Sequence, residues 1–497
     1  MISMIPLSAG LLGVYWIRWL IWKRKELPIV IPILFTCFFL PKLNLVQVSR
    51  LSTAGIRVDD FLALILLFIA IMDPATFRNR HIRRGVGMLA ALAVLNLLSV
   101  FIGRIRGYDN QILLSVMMVI RKFEYFAFAL VGIYTVRRLK DPYGTFFSEF
   151  TLMSAFHIVL AALQVLGKAG YIVNGADAGD YFQRAAVSTF NGYYEYGQFL
   201  CFGCAAYICE ALRPRSVPAG VVPTGVGSRW SLRAHGGRVP VAPSRWVSVV
   251  MLGLSLGMLV LSRSRSSLVI GALLVLIAVY FPLRGAIPRI RLIVGGYGGI
   301  LLLAAVTVVF TGIIGWELVG RFGSISLDDF TRYWAEFLRR GDFSRYREMI
   351  RTNWFEFDAI STLGYLDRIS DWSLATRYLK WGAALDGFRL NPLLGYGTGV
   401  THVMDGNYIR LLAETGILGT GLWLFFYGYF MRTVRKACRR SVLSKALWLM
   451  MLSILLNSVL IDMFDASKPM EMMWLLVGGV IAFARSGERI EKRWLMR

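Results

Sequence analysis

The chain has 497 residues, 56% of them apolar and only 17% charged, with a formal charge of +25 and a mean hydropathy of +0.58. Soluble proteins run roughly 45–50% apolar and about 25% charged, and here the apolar residues fall in runs rather than in alternation. A soluble enzyme, a secreted disulfide scaffold and a disordered chain are excluded; the composition predicts an all-α polytopic transmembrane bundle.

About 20 residues of helix cross the hydrocarbon of a bilayer, and about thirteen runs satisfy that length and composition. They lie near 4–22, 27–43, 58–75, 85–104, 118–136, 149–168, 195–212, 246–262, 266–283, 292–314, 412–431, 445–464 and 470–485. The first run has no basic segment before it and is followed by Lys23-Arg24-Lys25, so it reads as a retained span rather than a cleaved signal. Basic residues gather in alternate loops: Arg78 to Arg84, Arg137 to Lys140, Arg213 to Arg245, Arg284 to Arg291, Arg432 to Arg440, and the tail after Arg485. The positive-inside rule explains this excess without a nucleic acid partner, and places the N-terminus outside and the C-terminus in the cytoplasm.

Five sections follow: 1–212 with the N-terminal spans, 213–245 as a flexible basic cytoplasmic loop, 246–314 with the central spans, 315–411 as a large external loop, and 412–497 with the C-terminal spans and basic tail. The 213–245 loop is rich in Pro, Gly, Ser and Arg and has no acid, so nothing in it can bury a core. In the external loop, Phe330, Tyr333, Trp334, Phe337 and Leu338 recur at helical spacing, as do Leu374, Tyr378, Trp381, Leu385 and Phe388. Such stripes suit helices lying in the membrane interface or packed on the end of the bundle.

Walker and His-Glu-x-x-His signatures are absent. Gly395-Tyr396-Gly397-Thr398-Gly399 follows Asn391-Pro392 in a loop rather than joining a strand to a helix, so its glycines predict a tight turn, not a phosphate loop. Cys201 and Cys204 have zinc-knuckle spacing without a second pair nearby and read as buried small residues. His157 reads as a hydrogen-bonded packing residue, whereas Asp59, Asp60, Asp462 and Asp465 are boundary polar groups without an assigned role.

The chemistry-bearing feature is a set of arginines threaded to the outer face: Arg184, Arg263, Arg265 and Arg377. An arginine at a membrane boundary usually faces a bundle interior or a watery cavity, and its planar fork suits the oxygens of a lipid-linked phosphate; snorkelling to bulk headgroups is the alternative.

Four stretches, in order, resemble the O-antigen ligase and polymerase superfamily of bacterial membrane glycosyltransferases. They are Arg184 to Asn191 continuing through Tyr193-Tyr194-Glu195-Tyr196-Gly197, Leu261 to Ser267, Arg377 leading into Asn391 to Gly397, and Asp405 to Gly419. Within the first, Ser188 stands where the family's stretch has glycine. The resemblance covers roughly residues 180–430 and implies a fold related to C-type glycosyltransferases. It also implies transfer of a glycan from undecaprenyl pyrophosphate at the periplasmic face of the inner membrane, without metal, nucleotide sugar or other cofactor. Arg184 and Arg265 match the arginines thought to bind the donor pyrophosphate, with Arg377 or Arg263 in support. The ligase histidine position holds Asp405, as in the polymerase branches; His402 lies three residues earlier, out of register.

The expected reaction is therefore polymerisation of O-antigen or exopolysaccharide repeats with inversion, with Asp405 or Glu195 as the candidate base, a helix cap being the alternative for Asp405 and pairing with an arginine for Glu195. Arg121, Lys122 and Glu124 are secondary candidates for the glycan path, which an i,i+3 ion pair explains as well. A ligase, a transporter or flippase of lipid-linked sugars, and a membrane scaffold are the competing readings. The donor and acceptor glycans, membrane lipids, and a chain-length regulator or export protein are the expected partners.

Overall fold

The computed structural model describes residues 4–24, 26–47, 55–105, 112–173, 176–177, 185–213, 245–283, 381–382, 384–385, 387–389, 391–398, 405–438 and 441–495. Three expected site residues, Arg184, Arg377 and His402, lie outside them, as do the 292–314 span, most of the 213–245 loop and the 327–340 stripe.

The described fold is helical. In chain order it runs α1 (Met4–Arg18, continued by a π-turn to Lys23), α2 (Val30–Phe39), α3 (Val58–Ile71), α4 (Pro74–Phe77), α5 (Arg80–Ile105), α6 (Ile112–Arg138) and α7 (Pro142–Val165). It continues with α8 (Tyr193–Ala211), α9 (Arg245–Leu261), α10 (Arg265–Leu283), α11 (Asn407–Ala437), α12 (Val442–Asn457) and α13 (Ser467–Leu495). The only strands among the described residues form two short antiparallel ladders, Asn44–Gln47 with Gly55–Arg57 and Ile172–Val173 with Ala176–Asp177. The first ladder brings Lys42, after α2, and Arg57, before α3, to the same end of the bundle.

Among the described residues, four helices are long and apolar enough to cross a membrane by length and composition: Met4–Lys23, Arg80–Ile105, Pro142–Val165 and Asn407–Ala437. Several of the other expected spans depart from that measure for visible reasons. Helices α2, α3, α9 and α12 have fewer than 18 residues. In α6 the apolar run is broken by Arg121, Lys122 and Glu124. The expected 445–464 span ends as a helix at Asn457, and a 3-10 turn at Met463–Asp465 follows.

Helices α6 and α13 touch backbone to backbone. A Cβ on Gly132 would collide with the Leu475 carbonyl, and one on Gly478 with the Ala129 carbonyl, so small residues set this approach, as in membrane helix pairs. Above that seam Trp474 packs on Phe126, Phe426 and Phe430, with ring centroids 5.1, 5.2 and 5.0 Å away. Large apolar side chains such as Leu64, Phe68, Phe101 and Phe425 point outward and are well exposed, the arrangement a lipid-facing surface requires.

Contacts divide the helix ends into two sets. At one end Arg18 pairs with Glu149 (3.1 Å), Arg137 with Asp73 (3.5 Å) and Arg213 with Glu210 (3.1 Å), and Asp141 caps α7 by accepting from Gly144 N (3.0 Å). At the other end lie the Lys42–Glu195, Arg57–Ser467, Tyr125–Asp465 and Lys468–Thr189 contacts, and with them the stretches that carry the family resemblance.

Candidate functional site

All four resemblance stretches are described in part or whole, and their described residues meet at this second end. Residues 185–190 are buried and held from several sides. The Gln164 side-chain oxygen accepts from Val187 N (3.2 Å) and Ser188 N (2.6 Å), while its nitrogen donates to the Ser188 carbonyl (3.1 Å). Ser188 Oγ lies 2.9 Å from His157 Nδ1, Ala186 N donates to Leu261 O (3.0 Å), and Lys468 Nζ donates to Thr189 O (2.9 Å) and Oγ1 (3.1 Å). His157 is thus a buried packing residue hydrogen-bonded to this stretch, as expected.

Ser188 has φ +56°, and Arg263, in the second stretch, has φ +59°; these are the only non-glycine residues with positive φ among those described. Left-handed backbone costs a residue with a Cβ roughly 1–2 kcal/mol, and such strain concentrates at functional sites. A glycine at position 188 would adopt this backbone without that strain. Ser188→Gly is expected to leave thermal stability within about 1 kcal/mol, since relief of strain offsets the lost His157 hydrogen bond. Ser188→Val, β-branched at positive φ, should lower the melting temperature clearly in the same detergent unfolding assay.

In the second stretch α9 ends at Leu261 and α10 begins at Arg265, and serines close the turn between them. Ser262 Oγ donates to Leu259 O (2.7 Å) and Ser264 Oγ to Ser267 Oγ (2.8 Å). Arg263 and Arg265 are half-buried here. The turn lies against the start of α8, where a Cβ on Gly197 would sit 2.8 Å from Ser267 Cβ and 3.2 Å from Ser264 Cβ. Cys201 and Cys204 are buried free thiols on α8, and Cys201 Sγ is 3.2 Å from Ser267 O. Among the described residues no group of His, Cys, Asp and Glu is arranged to hold a metal ion.

The remaining stretches form one unit. Helix α11 is broken at Gly416 (φ 62°, ψ −166°), and residues 391–397 enter the break. Tyr396 N and Gly397 N donate to the carbonyls of Ala413 (3.0 Å) and Glu414 (2.8 Å), and Ile417 N and Leu418 N donate to Pro392 O (2.8 Å) and Leu393 O (3.2 Å). The loop satisfies the backbone groups that the break releases, the condition for irregular backbone inside a membrane protein. The expected tight turn is present, with Gly395 at φ +67° and Gly397 at φ +106°. Ser99 and Ser115 pin the unit to α5 and α6 through the carbonyls of Glu414 and Thr398.

Asp405 is half-buried two residues before α11, and its carbonyl accepts from Trp381 Nε1 (2.5 Å). The N-cap position belongs to Gly406 (φ 100°), so the helix-cap alternative for Asp405 does not match the structure. One turn into α11, buried Arg410 reaches three carboxylates: Glu414 (3.2 Å), Asp462 (2.6 Å) and Asp465 (2.8 Å). Asn407 Nδ2 also donates to Asp462 (3.1 Å). Burial pushes the Asp462 carboxyl up to about 7 against the pull of Arg410, with Asp465 and Asp405 adding to the rise.

Glu195 is held by Lys42 at 2.6 Å. The partner expected from sequence was an arginine; a lysine delivered by the Pro41-Lys42 end of the second apolar run takes that place. Arg121 pairs with Asp60 (3.3 Å) and, one turn along α6, with Glu124 (3.8 Å), as the i,i+3 alternative anticipated. Lys122 is buried with its ammonium 5.5 Å over the Trp423 ring. Asp59 and Asp60, unassigned from sequence, flank Arg57 at 3.3 and 3.0 Å, and Glu471 lies 4.0 Å from it.

Sequence reasoning missed Lys42, Arg57, Arg410, Lys468 and Glu471. Their one legible signal is position, since each charge stands at the rim of an apolar run, where a solvated boundary residue is the ordinary expectation. The stretches are joined through α12: Gln198 of α8 donates to Ser453 (2.7 Å) and accepts from Asn457 (2.6 Å), and the next carbonyl, of Ser458, accepts from Asn407 N (2.9 Å). No protein-family model matches the chain, and no curated protein matches it.

Proposed function

We propose that the chain is a membrane glycosyltransferase that polymerises lipid-linked glycan repeats, taking the growing glycan from an undecaprenyl diphosphate donor at the periplasmic face of the inner membrane. The observation that carries this reading is the convergence, at one end of a helical bundle, of residues 185–190, 261–267, 391–397 and 405–419, the described parts of the four stretches, with both left-handed non-glycine residues in the first two. In the proposed step the acceptor hydroxyl attacks the anomeric carbon, the bond from that carbon to the diphosphate oxygen breaks with inversion, and Asp405 takes the hydroxyl proton. Arg184 and Arg265, with Arg263 or Arg377, stabilise the negative charge that grows on the departing diphosphate; fixed cations aimed at developing charge are worth about 10²–10³ in rate each. Glu195, held by Lys42, is less suited to act as the base than Asp405.

Single changes Arg184→Ala, Arg265→Ala and Asp405→Asn are expected to cut polymer formation about 100-fold or more in membranes supplied with lipid-linked repeats, leaving single repeats on the donor lipid. Long polymer from all three variants at wild-type rate refutes the reading. A ligase shares the donor site and is separated by its product, a glycan moved to a non-polymer acceptor. The interrupted helix α11 favours a second class, because transporters also bind substrate at broken helices. A transporter defect leaves repeats on the cytoplasmic side.

A further inference from the structure

We propose that Lys468 is a positioning residue for the donor: its buried ammonium holds Thr189, and with it the stretch that follows Arg184, in the conformation that receives a diphosphate. The inference rests on the donor-site reading above and extends it to a residue outside every stretch that carries the resemblance.

Lys468 stands in the first turn of α13, ahead of its apolar run, and is 1% exposed. Lysine is almost never fully buried unless it is paired. Lys42, in the same layer, is paired with Glu195 at 2.6 Å. Lys468 has no carboxylate within ion-pair distance among the described residues; its hydrogen bonds go to the Thr189 carbonyl and hydroxyl, and it lies 4.9 Å over the Phe190 ring. Two of the three ammonium donors are thus used on one residue of the candidate donor stretch, and the charge is neutralised by neither.

The neighbouring backbone needs such a hold. Ser188 is left-handed, a conformation that persists only where surrounding groups over-determine it. Gln164 and His157 hold Ser188 from α7, and Lys468 holds the next residue from α13. A neutral donor would satisfy the Thr189 carbonyl equally well. An ammonium adds a positive potential, weakly screened in a buried site, directly behind residues 185–190.

The charged and titratable groups facing Lys468 are Cys37 of α2, Lys42 just beyond it, Asp59 of α3, His157 of α7 and Glu195 of α8, with Glu471 one turn on along α13. Burial, with Lys42 adding to it, pushes the Lys468 ammonium down to about 7, while Asp59 and Glu195 pull the other way. The proton is therefore held below neutral pH and lost above it, and diphosphate affinity attributable to Lys468 falls as pH rises through 7.

The test is binding of undecaprenyl diphosphate to the full chain in phosphatidylcholine nanodiscs, at about pH 6 and about pH 8.5, bracketing this range. Inorganic diphosphate serves as the headgroup-only arm; a lipid-borne site binds it more weakly but with the same pH response. Lys468→Arg stays charged at both values and shares the ligand's own titration. The wild type should lose about tenfold more affinity than Lys468→Arg between the two, the size of one charge-assisted hydrogen bond. Lys468→Met should bind about tenfold more weakly at the lower pH and lose the extra dependence.

If Lys468→Met does not fold, the wild-type and Arg comparison decides alone, and equal slopes overturn the proposal. Wild-type-like binding by Lys468→Met at both values also overturns it. Loss of binding in Arg265→Ala alongside that result leaves the donor-site reading standing. No binding by the wild type, or none lost in Arg265→Ala, overturns the donor-site reading and this inference with it.

Discussion

Arg410→Ala is expected to be among the most destabilising single substitutions in the chain, costing about 3–5 kcal/mol, the range for breaking a buried ion pair from one side. The guanidinium is 5% exposed and meets Glu414, Asp462 and Asp465 at once, tying the first half of α11 to the turn between α12 and α13. Its loss leaves three carboxylates around an empty volume, with Asn407 still donating to one of them. Arg410→Lys should rescue little, because a point charge cannot match a planar fork that reaches three carboxylates. Detergent unfolding followed by size-exclusion chromatography measures the loss. Arg410→Met combined with Glu414→Gln, Asp462→Asn and Asp465→Asn should recover part of it, since no unpaired charge then remains buried. No recovery in that combination would mean that packing, not charge, dominates at Arg410.

Gly416→Ala is expected to disrupt the unit that carries Asp405. The φ of 62° with ψ of −166° belongs to a region essentially restricted to glycine, and holding another residue there costs of order 1–3 kcal/mol. The added Cβ would also collide with the Leu393 carbonyl. That carbonyl cannot withdraw freely, because Ile417 N and Leu418 N donate to Pro392 O and Leu393 O. Overpacking of this kind adds roughly 1–3 kcal/mol. On the proposed function, polymer formation should fall further than stability, because the two halves of α11 and the 391–397 loop change register together and move Asp405 relative to Arg265. Gly421→Ala on the same helix, where a Cβ meets nothing within 4 Å, is the matched control and should be neutral in melting temperature and polymer assay. Equal behaviour of the two variants would show that the break is not required.

Much of the helical framework was legible as apolar runs. Helices α5, α7, α8 and α10 follow the runs read near 85–104, 149–168, 195–212 and 266–283. The Gly395-Tyr396-Gly397 turn was legible from composition and context, because left-handed positions select glycine. The charged layer was not legible. Arg57 reaches Ser467 across 410 residues and Lys42 reaches Glu195 across 153, and no local periodicity encodes such pairs. Ser188 was visible only as a departure from the glycine of the stretch it resembles, and its φ of +56° and its clamp by Gln164, His157 and Lys468 required coordinates. The break at Gly416 was hidden too, because a lone glycine in an apolar run is an ordinary tolerated residue unless another segment inserts beside it.

By itself the amino-acid order determined that this is a helical, membrane-type chain, because apolar run length and charge content act locally and are summed along the sequence. Only the tertiary structure decided which charges are neutralised inside the bundle, which backbone positions are strained, and which helix is interrupted. Those outcomes depend on what each group meets across the fold, in a medium that makes an unpaired charge or an open backbone amide costly wherever it is left.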